Sequence, residues 1–218
     1  MNEFRYIFED RFAECATDAK ADREELNNFF NNSVKEKIGD HASVGVDSSK
    51  QHIYNVCYDC NIPLWNEIYQ RMVNIADQCN VKLNWDEIKH CLRFTFIWMP
   101  PGGDLVPHTA NKFRALSAFN IPLRGKTEIS FYEHLPQHKV GKKLETHEYF
   151  HPCFLNVNRF HGVVNDTDQE RMIFKTHLMI VPWEKLIESY TGNNKVNMFN
   201  FVVPWQKVEI KPNTKKAD

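Results

Sequence analysis

The pattern of hydrophobic and polar positions divides the chain near residue 90. Before that point one segment carries a helical period. From Pro63 the run LWNEIYQRMVNIADQC places Leu64, Ile68, Met72, Ile75 and Cys79 three and four residues apart, with proline at a first-turn position. This spacing predicts an amphipathic helix over 63–79 whose apolar stripe buttresses a sheet. Residues 1–50 are polar, with Phe4, Tyr6, Phe8, Phe12, Phe29 and Phe30 as scattered apolar anchors, and read as helix and loop. After Trp85 the texture changes to short alternating or aromatic-rich runs: CLRFTFIWM (91–99), RALSAFNIPL (114–123), TEISFYEH (127–134), CFLNVNRF (153–160) and MIFKTHLMIV (172–181). Pro, Gly, Asn and Asp bound these runs, as expected of strands in a β-sandwich or barrel. VNMFNFVVPW (196–205) predicts a further strand or a capping helix.

Composition limits the partners and the number of domains. A chain of 218 residues, 42% hydrophobic and 25% charged, fills one core and is short for two. The expected layout is a single domain over 1–218: a mostly helical and loop segment (1–90), a β core (91–182) and a C-terminal extension (183–218). The formal charge of −1 gives no bulk attraction to nucleic acid or anionic lipid, so a small molecule or a polypeptide is the expected partner. No apolar run approaches the roughly 18 residues that cross a bilayer, and MNEFRYIFEDRF lacks the basic-then-apolar order of a signal segment. The expectation is a cytoplasmic protein. Six scattered cysteines then read as reduced thiols, and Cys57-Tyr58-Asp59-Cys60 lacks the second C-x-x-C of a zinc ribbon.

Chemistry concentrates at three residues. His108 follows the turn-rich segment Pro100-Pro101-Gly102-Gly103 and precedes a strand, and His161 follows CFLNVNRF and opens the next turn. A metal at the mouth of a barrel takes ligands from strand ends far apart in sequence, which this pair supplies. In non-haem iron oxygenases two histidines and one carboxylate occupy one face of the metal and leave open positions for a 2-oxo acid and for O₂; here the histidines are present, and the residue two after His108, where the carboxylate usually stands, is Ala110. Arg171 follows His161 by ten residues, at the start of a strand, where a guanidinium can pair bidentately with the distal carboxylate of 2-oxoglutarate. His147, Glu148 and His151 form H-E-x-x-x-H, which misses the spacing of a zinc protease. His134, His138, His147 and His151 read as loop residues or as the lining of a substrate mouth, and Lys142 and Lys143 as a solvated turn.

These motifs carry a resemblance. PPGG(x)₄-His108-Thr109, the strand ending Asn120-Ile121-Pro122-Leu123, and His161-Gly-Val-Val-Asn165-(x)₅-Arg171 resemble the aspartyl/asparaginyl β-hydroxylase branch of the 2-oxoglutarate and Fe(II)-dependent dioxygenases, over roughly residues 91–182. The resemblance implies a mainly β fold with flanking helices, a double-stranded β-helix (jelly roll, cupin-like). It also implies Fe(II) held by His108 and His161, and 2-oxoglutarate anchored by Arg171. The reaction it implies is hydroxylation of an aspartyl, asparaginyl or prolyl side chain, with O₂ consumed and succinate released. Ala110 stands where most of the superfamily carries Asp or Glu; members of this branch work with a small residue there. Ala118-Phe119-Asn120 stands where relatives often carry Arg-x-His, so Ser117, Asn120 and Arg114 become the candidates for further carboxylate contacts. Two alternatives belong to other classes. One is an iron halogenase with halide in the place left by Ala110; the other is a non-oxidative cupin-type binding protein or isomerase.

Overall fold

A computed structural model of the chain describes residues 4–34, 52–55, 63–110 and 115–191. Arg114, the pair Cys57 and Cys60, and the run 196–205 lie outside the described residues. Eleven strands are described: β1 Tyr6–Phe8, β2 Phe12–Glu14, β3 His52–Asn55, β4 Leu92–Met99, β5 Asp104–His108, β6 Ser117–Arg124, β7 Glu128–Leu135, β8 Lys139–Glu148, β9 Cys153–Leu155, β10 His161–Val164 and β11 Arg171–Leu178. They build a seven-stranded sheet in the order β1-β2-β9-β6-β11-β4-β3 and a four-stranded sheet in the order β5-β10-β7-β8. Every described pairing is antiparallel. The chain passes repeatedly from one sheet to the other, and the two sheets enclose a common interior: the mainly β jelly roll that the sequence predicts.

Period-2 alternation gives the large sheet two different faces. On β11, Met172, Phe174 and Leu178 point outward, where they join Phe94 and Phe96 of β4 and Phe119 and Ile121 of β6 in the main apolar core. Three helices cover that face: α1 Lys20–Phe29, α2 Pro63–Gln78 and α4 Trp183–Thr191, while the single turn α3 Trp85–Ile88 adds Trp85 and Ile88. The expected helix over 63–79 is α2, and it buries Trp65, Ile68, Met72, Ile75 and Ala76. Trp65 stacks near Phe94 (ring centroids 5.0 Å) and Phe30 near Phe96 (4.6 Å). Each fully buried aromatic or Leu-sized side chain here contributes about 1.5–3 kcal/mol. This helix-covered core is therefore where the stability lies.

The structure adds six strands to the runs expected from the sequence, and two of the six, β5 and β10, carry the site. Tyr6–Phe8, Phe12–Glu14 and His52–Asn55 lie in the part expected as helix and loop, yet they extend the large sheet at both edges. Glu14 explains the attachment of the first two. Its buried carboxylate accepts hydrogen bonds from the backbone N–H groups of Phe150 (2.8 Å) and His151 (2.9 Å) and from Arg5 (3.1 Å). Lys142 and Lys143 belong to no turn; they lie on the long exposed edge strand β8.

Gly125 closes β6 and leads to β7 with φ +70°, and a Cβ there would lie 2.2 Å from the carbonyl oxygen of Glu170, in the residue before Arg171. Gly125→Ala is expected to cost about 2–4 kcal/mol, from left-handed strain plus an overlap with backbone that has no rotamer to escape through. A urea midpoint indistinguishable from the parent would contradict this placement.

Candidate functional site

The site is built on one rung of the small sheet. His161 opens β10 and pairs directly with His108 at the end of β5, so two residues far apart in sequence become cross-strand neighbours. Their ring centroids are 4.5 Å apart. Each ring is fixed in the same way: Nδ1 of His108 lies 3.0 Å from the carbonyl oxygen of Val106, and Nδ1 of His161 lies 2.8 Å from that of Arg159. A carbonyl oxygen only accepts, so each Nδ1 carries the proton and each Nε2 keeps its lone pair. That is the tautomer a metal ligand needs, set by the second ring nitrogen. Burial lowers the pKa of His108 and, more strongly, that of His161, which also feels the charge of its neighbour. Both rings are thereby kept neutral.

The register slips between His161 and Val163, opposite Val106 and Pro107. Proline lacks an N–H to give to a ladder, and β5 is an edge strand, where this is tolerated. Gly162 lets the strands close up: a Cβ there would approach the Leu105 carbonyl oxygen to 2.9 Å. His161 therefore begins a strand rather than the turn that its sequence context suggests.

Arg171, the third predicted residue, enters the interior from the opposite sheet. It is 2% exposed, opens β11, and its Nη2 donates to the Tyr149 hydroxyl at 3.3 Å. Asn165 holds the loop that delivers it. The Asn165 side-chain amide donates to the carbonyls of Pro100 (2.9 Å) and Gln169 (2.8 Å), and its backbone N–H donates to Gly103 (2.8 Å). The PPGG turn, the strand carrying His161 and the start of β11 are tied together at that one residue.

His161, Asn120 and Arg171 line a single cavity together with Tyr149 and Lys175, and Ile97, Leu105, Ile129 and Val163 are among its apolar walls. Asn120 thus lies where a second polar contact is expected, and its Oδ1 is buried without a hydrogen bond. Ser117 does not line the cavity. Its hydroxyl is spent on the Val181 carbonyl at 2.5 Å, because three positions along β6 from Asn120 reverse the face. Sequence reasoning missed Tyr149 and Lys175. Burial raises the pKa of the Tyr149 hydroxyl, so it stays protonated, and lowers that of Lys175 to about 8. Among the described residues no carboxylate lines the cavity, and no third His, Cys, Asp or Glu joins the two histidines as a metal cluster. Ala110 sits two residues past His108, its N–H donating to Val157 (2.7 Å) and its methyl packed on the interior apolar cluster. Of the paired imidazoles His161 lines the cavity and His108 is its cross-strand neighbour, so the pair can accept a cation at the cavity's edge while Arg171 and Tyr149 can accept an anion within it. The other histidines lie elsewhere: His134 and His138 form an exposed pair (3.3 Å), and His147 is packed among Tyr6, Phe8 and Phe12.

No protein-family model matches the chain, and neither does any curated protein. Among solved structures, a Pseudomonas putida prolyl-4-hydroxylase is similar at 12% identity over 77% of this chain and 91% of that one, with a TM-score of 0.46. The collagen prolyl hydroxylase of Paramecium Bursaria Chlorella virus-1, solved as a 2OG complex, is similar at 10% identity over 77% and 94%, with a TM-score of 0.42. Vicilin from Corylus avellana (hazelnut) is similar at 8% identity over 64% of this chain, which spans about a third (32%) of the vicilin chain, with a TM-score of 0.37.

The neutral histidines set an acid limit. The unfolded chain takes up protons as pH falls through the ordinary imidazole value of about 6.5, while folded His161 and His108 resist them. Their contribution to stability is complete above that value and is lost as pH falls below it. The melting temperature of the metal-free protein is expected to drop between pH 7 and 5, and His161→Gln to flatten part of that slope. A slope unchanged by His161→Gln would contradict a buried neutral ring.

Proposed function

We propose that this chain is a 2-oxoglutarate- and Fe(II)-dependent dioxygenase that hydroxylates an amino-acid side chain, aspartyl, asparaginyl or prolyl, in a small molecule or a polypeptide. The observation that carries the proposal is the His161–His108 rung, with both Nδ1 atoms committed to backbone carbonyls and both Nε2 lone pairs left for a metal. It adjoins a cavity whose charged lining, apart from histidine, is cationic. A cation site next to an anion anchor is what iron and a 2-oxo dicarboxylate require together.

When bound, Fe(II) with 2-oxoglutarate and O₂ supplies the oxidation: one oxygen atom enters the C–H bond as C–OH, the other enters succinate, and CO₂ leaves. The chain contributes position and environment. His108 and His161 would hold the iron, their neutral rings needing no proton loss to become ligands. Arg171 would grip the distal carboxylate through its two-donor fork, with Tyr149 adding its hydroxyl proton, and Asn120 offers an amide to the same occupant. Ile97, Leu105, Ile129 and Val163 keep bulk water from the reacting end. Ala110 adds no ligand, which leaves that coordination position to solvent or cosubstrate, in keeping with the resemblance to the aspartyl/asparaginyl branch.

The direct test is anaerobic loading with Fe(II) and 2-oxoglutarate, an O₂ pulse, and measurement of succinate with and without candidate substrates. Succinate is expected from the parent and not from His108→Ala or His161→Ala, since a site with two protein ligands has none to spare. Arg171→Lys is expected to keep the fold and raise the 2-oxoglutarate requirement roughly 30-fold to several thousand-fold, corresponding to about 2–5 kcal/mol for a desolvated charge pair reduced to a single point charge. A folded Arg171→Lys protein with an unaltered requirement would remove the anchor. Failure of the parent to form succinate with any substrate would favour the non-oxidative cupin-type alternative.

A further inference from the structure

A second pair of histidines stands apart from the cavity. His134 lies one residue before the end of β7, and His138 ends the short 3₁₀ turn Pro136–His138 that leads into β8; neither lines the cavity. Nε2 of His134 is 3.3 Å from Nδ1 of His138, and the ring centroids are 5.2 Å apart. That separation serves a hydrogen bond between the rings, and it serves a metal equally well. Two nitrogens, each about 2.0–2.1 Å from a tetrahedral zinc, stand about 3.3–3.4 Å from one another. A cation can therefore replace the shared proton by a turn of the rings, with the backbone left where it is. The chain holds the two rings at this approach. Gln137 (φ +62°) and His138 (φ +57°) are consecutive left-handed residues without the freedom of glycine, a costly conformation that brings the second ring back to the first. His134 is braced by an edge-to-face contact with Phe160, ring centroids 4.9 Å apart. Both histidines are exposed, and among the described residues no third His, Cys, Asp or Glu joins them. The carboxylate of Glu133, beside them in sequence, lies over Gly141 instead. A metal here would complete its coordination with water.

We propose that His134 and His138 form a second metal site, separate from the cavity, that takes a divalent cation of tetrahedral preference, zinc above all, and pins the turn between β7 and β8. Imidazole nitrogen suits zinc, and Fe(II) and Mn(II) stand lower in the general order of affinity for such ligands. The turn is also tied to the strand of the first pair. Phe160, on which His134 rests, precedes His161, and its carbonyl accepts from the Tyr132 N–H at 2.9 Å. A cation at the tip would thus steady the chain that leads into His161.

The test titrates Zn(II) into the full chain by calorimetry and follows amide hydrogen exchange over residues 133–140. His134→Ala and His138→Ala are each expected to remove one bound zinc, or to weaken it about tenfold or more. The melting temperature of the metal-free protein should stay where it is, because both rings are exposed. His138→Cys supplies another zinc ligand at the same place and should recover most of the affinity. The same zinc should persist in His161→Gln, which alters the other pair. In the parent, zinc should slow exchange across the turn; in His138→Ala it should not. Unchanged zinc stoichiometry and affinity in His134→Ala and His138→Ala overturns the site, and so does a parent whose only bound zinc is lost in His161→Gln. Zinc that binds at the tip without slowing exchange overturns the pinning. None of these results touches succinate formation, which depends on the other two histidines.

Discussion

Everything at the site depends on one antiparallel rung, the pairing of His161 with His108 between β10 and β5. Without it the two imidazoles belong to loops separated by most of the small sheet's sequence. With it they are neighbours fixed at the backbone and at Nδ1, so neither ring needs a metal to be held in a ligand's orientation. The rung in turn depends on Gly162, where any side chain would press on the β5 backbone. It depends also on Asn165, whose amide and backbone stitch the far end of β10 to the PPGG turn and to the residues before Arg171. A shift of either strand would displace a histidine and Arg171 together.

The large sheet keeps stability and function on opposite faces of the same strands. Met172, Phe174 and Leu178 feed the helix-covered core; Arg171, Ile173 and Lys175, one residue out of phase, enter the cavity. Unpaired buried cations destabilise a fold, and hydrophobic replacements of similar size are often more stable. Arg171 is buried with only Tyr149 as a side-chain hydrogen-bond partner among the described residues and Lys175 is half-buried, a cost that the large aromatic core behind the sheet offsets.

The sequence already carries most of the fold, since the apolar, aromatic-rich runs 91–99, 114–123, 127–134 and 172–181 are bounded by Pro, Gly, Asn and Asp, and all four contain strands within a few residues of the expected bounds. The strands that escaped notice have physical reasons to be inconspicuous. β8 is KVGKKLETHE, an exposed edge with no apolar face, and β10 is four residues with a glycine in second place. β1 and β2 are three residues each, held by Glu14 rather than by an apolar pattern. At the site, the motifs single out His108, His161 and Arg171, and the fold brings the two rings together and turns Arg171 into the same interior. Ser117 and Asn120 could not both have faced inward, because three positions along a strand reverse the face, and that parity was available in the sequence. So was Lys175, a lysine amid MIFKTHLMIV in phase with Arg171. Tyr149 was not readable: nothing in the run HEYFHP distinguishes it from its neighbours until the chain brings Arg171 beside it.

The N-terminal strands bear on that last contact. Phe12 of β2 packs on Tyr149 (ring centroids 5.5 Å) and on Phe131 (6.2 Å), and Phe8 of β1 packs on Phe131 (5.6 Å). These rings, with His147 stacked on Phe12 at 5.5 Å, close the end of the interior behind Tyr149. Tyr149 is further tied through its backbone N–H to Thr127 (2.9 Å) and is fully buried, so its hydroxyl has little freedom to follow a moving partner. The position of the Arg171 guanidinium is thus set from two directions: by Asn165 along its own chain and by a tyrosine wedged against the first dozen residues. The first two strands therefore back the cavity at Tyr149 as well as forming an edge of the sheet. Loosening them would be felt at Arg171 through Tyr149, and also beside His161, whose other ladder partner is Phe131 of β7.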